Sequence, residues 1–252
     1  MGKRSISTIL SDSADTKMKK DTLVKVEPIL SLYRQNSSTK AAAMSKYMKN
    51  NFKFIGIQKP ERDALHKEWL REVIKSSNAN QIVDYELVNA LWLQEEREFQ
   101  YLAIIILGET CHHLKLEDIS LVETLITQKS WWDTVDGLAS KVLGGLIRRF
   151  PSLADSHIRP WARGARDTQY TTAMWLRRSS IISQLKFKND TDTQLLTEVI
   201  RENCGTQEFF LNKAIGWALR EYSKSNPQWV SDFVANNTLH KLSVREALRR
   251  IK

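Results

Sequence analysis

The chain has 252 residues, 42% of them hydrophobic, with 9 Gly, 5 Pro and a formal net charge of +9. That apolar share supports a sizeable core and excludes wholesale disorder, while so few turn-breakers exclude an all-β fold with its many tight turns. No apolar run approaches the roughly 18 residues of a membrane helix, and Cys111 and Cys204 give neither a disulfide framework nor metal-ligand spacing. The stretch from Met1 to about Asp21 mixes Ser, Lys and Asp without periodicity and reads as a loose tail. It is too acidic, with Asp12, Asp15 and Asp21, for a typical transit peptide. No secretory signal is apparent, so a reducing intracellular compartment is expected. Residues 22–252 read as a single helical domain. Helices are predicted over Leu23–Arg34 and Ser38–Lys49, then from Pro60, which suits a first helical turn because its missing N–H would be unpaired there anyway. Further ones follow over Gln81–Leu93, Glu95–His113, Leu116–Thr127, Ser130–Phe150, Ser152–Gly164, Tyr170–Lys186, Thr191–Asn203, Gln207–Ser223, Gln228–Asn236 and Ser243–Ile251. The short breaks imply antiparallel neighbours. The expected fold is all-α, either a HEAT-like solenoid of helix pairs with a concave binding face or an irregular helical domain.

The charge is unevenly placed. Residues 129–252 carry 20 Lys and Arg against 12 Asp and Glu, whereas residues 1–128 carry 18 against 17. A basic half fits a polyanionic partner, because phosphate neutralisation supplies most sequence-independent nucleic-acid affinity. It equally fits a solvated surface with a high pI.

Three helices carry a residue out of keeping with their apolar face. In Ser130–Phe150, Trp131, Val135, Leu138, Val142 and Leu146 fall within about 80° of arc, a core stripe. Trp132, Ala139, Leu143 and Ile147 widen that band, and Asp136 lies among them, whereas Asp133 falls in the polar arc with Lys141. A carboxylate in an apolar band is costly unless compensated, so Asp136 is a candidate site residue; a local cap or a buried salt bridge is the structural alternative. In Tyr170–Lys186, Arg178 projects from a cluster of Met174, Trp175, Ile181, Ile182 and Leu185, while Arg177 falls outside it and is expected to be solvated. Arg178 would point into a cleft or meet an anion, either Asp136 or a phosphate. In Gln207–Ser223, Trp217 borders a basic strip of Lys213, Arg220 and Lys224, a combination that suits a nucleic-acid face and also an ordinary core edge. Cys111-His112-His113 is a metal-like cluster, but it has no second ligand group nearby in sequence and reads as structural.

Lys129-Ser130-Trp131-Trp132-Asp133-Thr134-Val135-Asp136 resembles the signature of AlkD-type alkylpurine DNA glycosylases. The resemblance extends to Tyr47-Met48-Lys49-Asn50, to Trp175-Leu176-Arg177-Arg178 with Gln184-Leu185-Lys186, and to Lys213-Ala214-Ile215-Gly216-Trp217-Ala218-Leu219-Arg220-Glu221-Tyr222. These motifs fall in order from about residue 40 to the end of the chain. The resemblance implies HEAT-like repeats and excision of N3-alkyladenine and N7-alkylguanine from duplex DNA, without metal or cofactor. It implies Trp132, Asp136 and Arg178 as the catalytic group, with Trp217 and Tyr47 facing DNA. Lys213 and Arg220 are added as DNA-binding candidates from the basic strip. Arg163 and Arg166 are added from the 162–174 connection, which looks longer than the family's. The protein is expected to act as a monomer, in the cytoplasm at a bacterial nucleoid or in a eukaryotic nucleus. A non-catalytic helical scaffold that binds DNA or protein is the alternative reading.

Overall fold

The computed structural model describes residues 20–164 and 170–251. Regular structure among them is helical, apart from a single bridge between Lys53 and Glu96, so the fold is all-α. The tail expected over residues 1–21 lies outside the described residues as far as residue 19. No described helix is long and apolar enough to cross a membrane. By its contacts the chain divides after Leu114 into two compact units.

In the first unit, α1 spans Lys20–Gln35 and buries Val26, Ile29, Leu30 and Tyr33, the three- and four-residue spacing of one helical face. A short α2, Ala41–Tyr47, buries no side chain. The longest helix, α3 (Lys59–Asn80), opens on a capping box between Gln58 and Glu61 and stops at Gln81 in left-handed conformation. Asp84 caps α4 (Tyr85–Leu93) by accepting from the Leu87 N–H, and α4 packs on α5 (Arg97–Glu109). Within this unit the fully buried Glu98 carboxylate accepts the backbone N–H groups of Ile55, Gly56 and Ile57 at 3.0, 2.9 and 3.2 Å, which straps the loop before α3 onto α5. Tyr33 Oη and His66 Nδ1 meet at 2.6 Å beneath it, both buried.

The second unit begins with α6 (Ile119–Thr127) and continues with α7 (Trp132–Gly137). Residues Leu138–Leu143 then take π-helical hydrogen bonding before the α pattern resumes as α8 (Gly144–Arg149), so the one helix predicted here is continuous but locally widened. A second π-helical turn, Ala154–Ile158, leads into α9 (Arg159–Ala162). Then come α10 (Tyr170–Ile182), α11 (Thr193–Arg201), α12 (Phe209–Tyr222), α13 (Pro227–Ala235) and α14 (Lys241–Ala247), followed by a 3-10 turn at Leu248–Arg250. Two glycines let helices approach closely. A Cβ on Gly144 would sit 2.7 Å from the Ser183 carbonyl oxygen beyond α10, and one on Gly216 of α12 would sit 2.9 Å from the Ser243 carbonyl oxygen of α14.

Candidate catalytic site and basic surface

The chain reaches the site through a sharp turn. Lys129 adopts left-handed φ (49°), and Trp131 is extended at φ −159° and ψ 161° before α7 begins. The Trp131 ring enters an aromatic cluster, its centroid 5.7 Å from that of Trp175 and 5.2 Å from that of Phe210, which are themselves 5.0 Å apart. Its indole N–H is buried without a hydrogen-bond partner. Trp132 is half-buried one position later.

On the last turn of α7, Asp136 meets Arg178 of α10. Arg178 Nε donates to one carboxylate oxygen and Nη2 to the other, each at 2.7 Å, a bidentate pair. Arg178 Nη1 donates to the Phe210 carbonyl at 2.5 Å, which ties the pair to the start of α12. The Arg178 side chain is only 4% exposed and that of Asp136 15%. Burial pushes the Asp136 carboxyl above its ordinary value; the hydrogen bonds and charge of Arg178 oppose that rise, and Asp133 adds to it. The π-helical stretch starts two residues after Asp136, and the Asp136 carbonyl accepts from Ser140 Oγ at 2.7 Å.

The carboxylate and the arginine that the helical phases single out are thus paired with each other, and of the two anions open to Arg178 the protein supplies Asp136. Arg177 is not solvated as expected. It is half-buried and donates through Nε to Asn203 Oδ1 at 2.8 Å, because α11 ends beside it. Phe210 was missing from the sequence reading. Its only trace there is the Phe209-Phe210 doublet at a predicted helix start, of which Phe209 stays 58% exposed.

The basic strip of α12 is partly neutralised. Lys213 Nζ lies 2.7 Å from one oxygen of Glu246, and Arg220 donates to the other. Glu246 of α14 is buried, and the Lys213 hydrogen bond foremost holds its carboxyl below the usual range, with Arg220 adding to the effect. Trp217 is half-buried between them in sequence. Arg163 is exposed and pairs with Glu202 at 3.2 Å. Arg166 lies outside the described residues. Tyr47 belongs to the first unit, 69% exposed at the end of α2, and Lys49 and Asn50 after it both take left-handed φ (58° and 59°). His112 and His113 both direct Nε2 at the Asn78 side-chain oxygen, at 3.1 and 2.9 Å.

A family model for DNA alkylation repair enzymes matches residues 29–251. Among solved structures, the chain is similar to one described as "Predicted DNA alkylation repair enzyme from Enterococcus faecalis", with 34% identity and a TM-score of 0.72. The match covers 84% of this chain and 94% of that one. No curated protein matches.

Proposed function

The chain belongs to the DNA alkylation repair enzyme family, and from that premise we propose that it is a monofunctional DNA glycosylase that releases cationic alkylated purines from duplex DNA. The observation that carries this reading is the Asp136–Arg178 pair, a carboxylate held in fixed orientation by an arginine that also donates to the Phe210 carbonyl.

A purine alkylated at N3 or N7 already carries positive charge. When its N-glycosidic bond breaks, the bonding electron pair neutralises the base, so no general acid is needed, unlike the two-carboxylate arrangement of sugar hydrolases. The group that needs help is the oxocarbenium-like sugar, which gains positive charge as the base departs and is then captured by water at the same carbon. In this reading Asp136 stabilises that charge and orients the water. At about 4 Å and an effective dielectric near 20 the attraction is on the order of 4 kcal/mol, roughly a thousandfold in rate. Arg178, with three donors engaged inside the protein, acts as a positioning residue that aims the carboxylate. Trp132 and Trp217 offer ring faces to the deoxyribose and the flanking backbone, where an aromatic face also favours a cation. Tyr47 is a further contact to the DNA. The chemistry calls for no cofactor or metal, since the substrate supplies the charge that drives departure.

The test is base release from duplexes containing N3-methyladenine, N7-methylguanine, a bulkier N7-alkylguanine, uracil or 8-oxoguanine, each with chelator present. Release of the cationic lesions alone is the expected result. Efficient release of a neutral base, or activity that chelator removes, would contradict the mechanism.

A further inference from the structure

Beyond the catalytic pair, the second unit holds an open recess of about 450 Å³ lined by Arg220, Glu221, Lys224, Arg249 and Arg250. Its lining is entirely charged, unlike the largely apolar walls of a small-molecule pocket. Lys224 spends its charge on Glu221, reaching both carboxylate oxygens at 2.6 Å. Glu246 is shared between Lys213 and Arg220, so one acid faces two cations. Arg249 and Arg250 form no ion pair with any described residue. The lining thus sets four cations against one carboxylate, Glu221, with Glu246 reaching Arg220 from outside it.

The recess is also built, because the close approach at Gly216 fixes α14 against α12. A Cβ there would lie 2.5 Å from the Glu246 Cβ, and Ser243 Oγ donates to the Asn212 carbonyl at 2.8 Å. The 3-10 turn carrying Arg249 and Arg250 follows α14 directly, so this packing sets the two guanidinium groups beside the last turn of α12. Like charges gathered this closely repel one another unless an anion sits among them. The planar donors of guanidinium suit the paired oxygens of a phosphate.

We propose that this recess binds phosphodiester groups of the DNA backbone, with Arg249 and Arg250 as the contacting residues and Arg220 flanking them. The proposal rests on the DNA-acting reading above and locates a second place where the duplex touches the protein. Lys213, held by Glu246, is not among its contacts.

The experiment measures affinity for an unmodified labelled duplex over a salt series, for wild type and for Arg249→Gln/Arg250→Gln. Base release by the wild type from an N7-methylguanine duplex is measured in parallel. Two lost phosphate contacts should lower the slope of log affinity against log salt by about two and weaken binding at 0.1 M salt ~10- to 100-fold. Arg249→Lys/Arg250→Lys should restore most of the slope, and the thermal midpoint of both variants should match wild type. An unchanged slope in the glutamine variant, with wild type binding duplex normally, overturns the recess alone. A lowered slope without any wild-type base release overturns the glycosylase reading alone. A wild type that binds no duplex overturns both. Titration with inorganic phosphate separates the other source of this chemistry: a variant that loses phosphate binding but keeps its duplex affinity marks a free-anion site and refutes the backbone assignment.

Discussion

Asp136 is a carboxylate under two opposed influences, and its pH behaviour follows from which is stronger. Burial raises its proton affinity and Arg178 lowers it, with the net direction upward. For an acid whose folded-state value is raised, the proton-linked stability is fully present below the unfolded value and is lost as pH rises through the folded one. Activity runs the other way, because only the ionised form can stabilise a cationic sugar. Base release should therefore fall as pH drops, with its acid limb above the ordinary carboxylate range. Arg178→Lys, which cannot chelate both oxygens, should move that limb higher still; a pH–rate profile of kcat/KM checks both statements, and a limb that stays put in the variant contradicts the pairing. Asp136→Asn should slow release about a thousandfold while duplex affinity changes little, with Asp133→Asn as the control that stays near wild type. Arg178→Ala should also cost about 3–5 kcal/mol of stability, since it strands a buried charge, a loss visible in the denaturant midpoint.

Among the helices, the closest contacts depend on absent side chains and on buried polar pairs. Gly216→Ala forces a methyl against the Ser243 carbonyl and the Glu246 side chain. Overpacking of this kind costs about 1–3 kcal/mol, and a lowered thermal midpoint is the expected result. In the first unit, burial foremost holds the His66 imidazole below its ordinary value, so it stays neutral against Tyr33. A depressed folded-state value means stability that is present above the unfolded value and lost as pH falls through the folded one. Tyr33→Phe should cost about 1–3 kcal/mol by leaving a buried ring nitrogen unpaired, measured by urea unfolding at neutral pH. Helix positions were legible in the sequence because apolar spacing and polar breaks are local signals: the predicted Gln207–Ser223 is Phe209–Tyr222 in the structure, and Thr191–Asn203 is Thr193–Arg201. Asp136 and Arg178 were legible for the same reason, each violating the pattern of its own helix. The Phe210 carbonyl and Glu246 were not, because a backbone acceptor carries no residue signature and a lone acid in a short helix reveals no partner. Arg177 misled because a helical phase describes one helix and is silent about the Asn203 that a neighbour brings to it.

Over the whole molecule, charge is sorted by unit. Several cations of the first unit face carboxylates: Lys25 meets Asp84, Lys40 meets Glu61, Lys53 meets Glu95, and Arg34 meets Glu96. The basic surplus read from the sequence falls in the second unit together with the Asp136–Arg178 pair and the Arg249–Arg250 recess. Exposed pairs of this kind contribute little stability, about 0–1 kcal/mol each, but they cancel the field that would draw in a polyanion. Lys40→Ala and Lys53→Ala should accordingly leave the salt slope of duplex binding nearly unchanged, in contrast to the arginine variants of the recess. A slope that fell by about one for either lysine would show that the first unit meets the backbone through those side chains.

The π-helical stretch after Asp136 has a further consequence. It accommodates more residues per turn than the α-helix on either side, so its six residues turn the chain about as far as five α-helical residues would. Deleting one residue from Leu138–Leu143, such as the exposed Lys141, would let the helix relax to α geometry. Asp136 would then keep its direction toward Arg178, whereas one residue deleted from α8, which is already α-helical, would turn Asp136 by about 100° and shift it about 1.5 Å relative to the residues beyond. The aim of the proposed catalytic carboxylate thus has one residue of slack in chain length, and a single-codon deletion within the stretch should keep base release where the same deletion in α8 abolishes it.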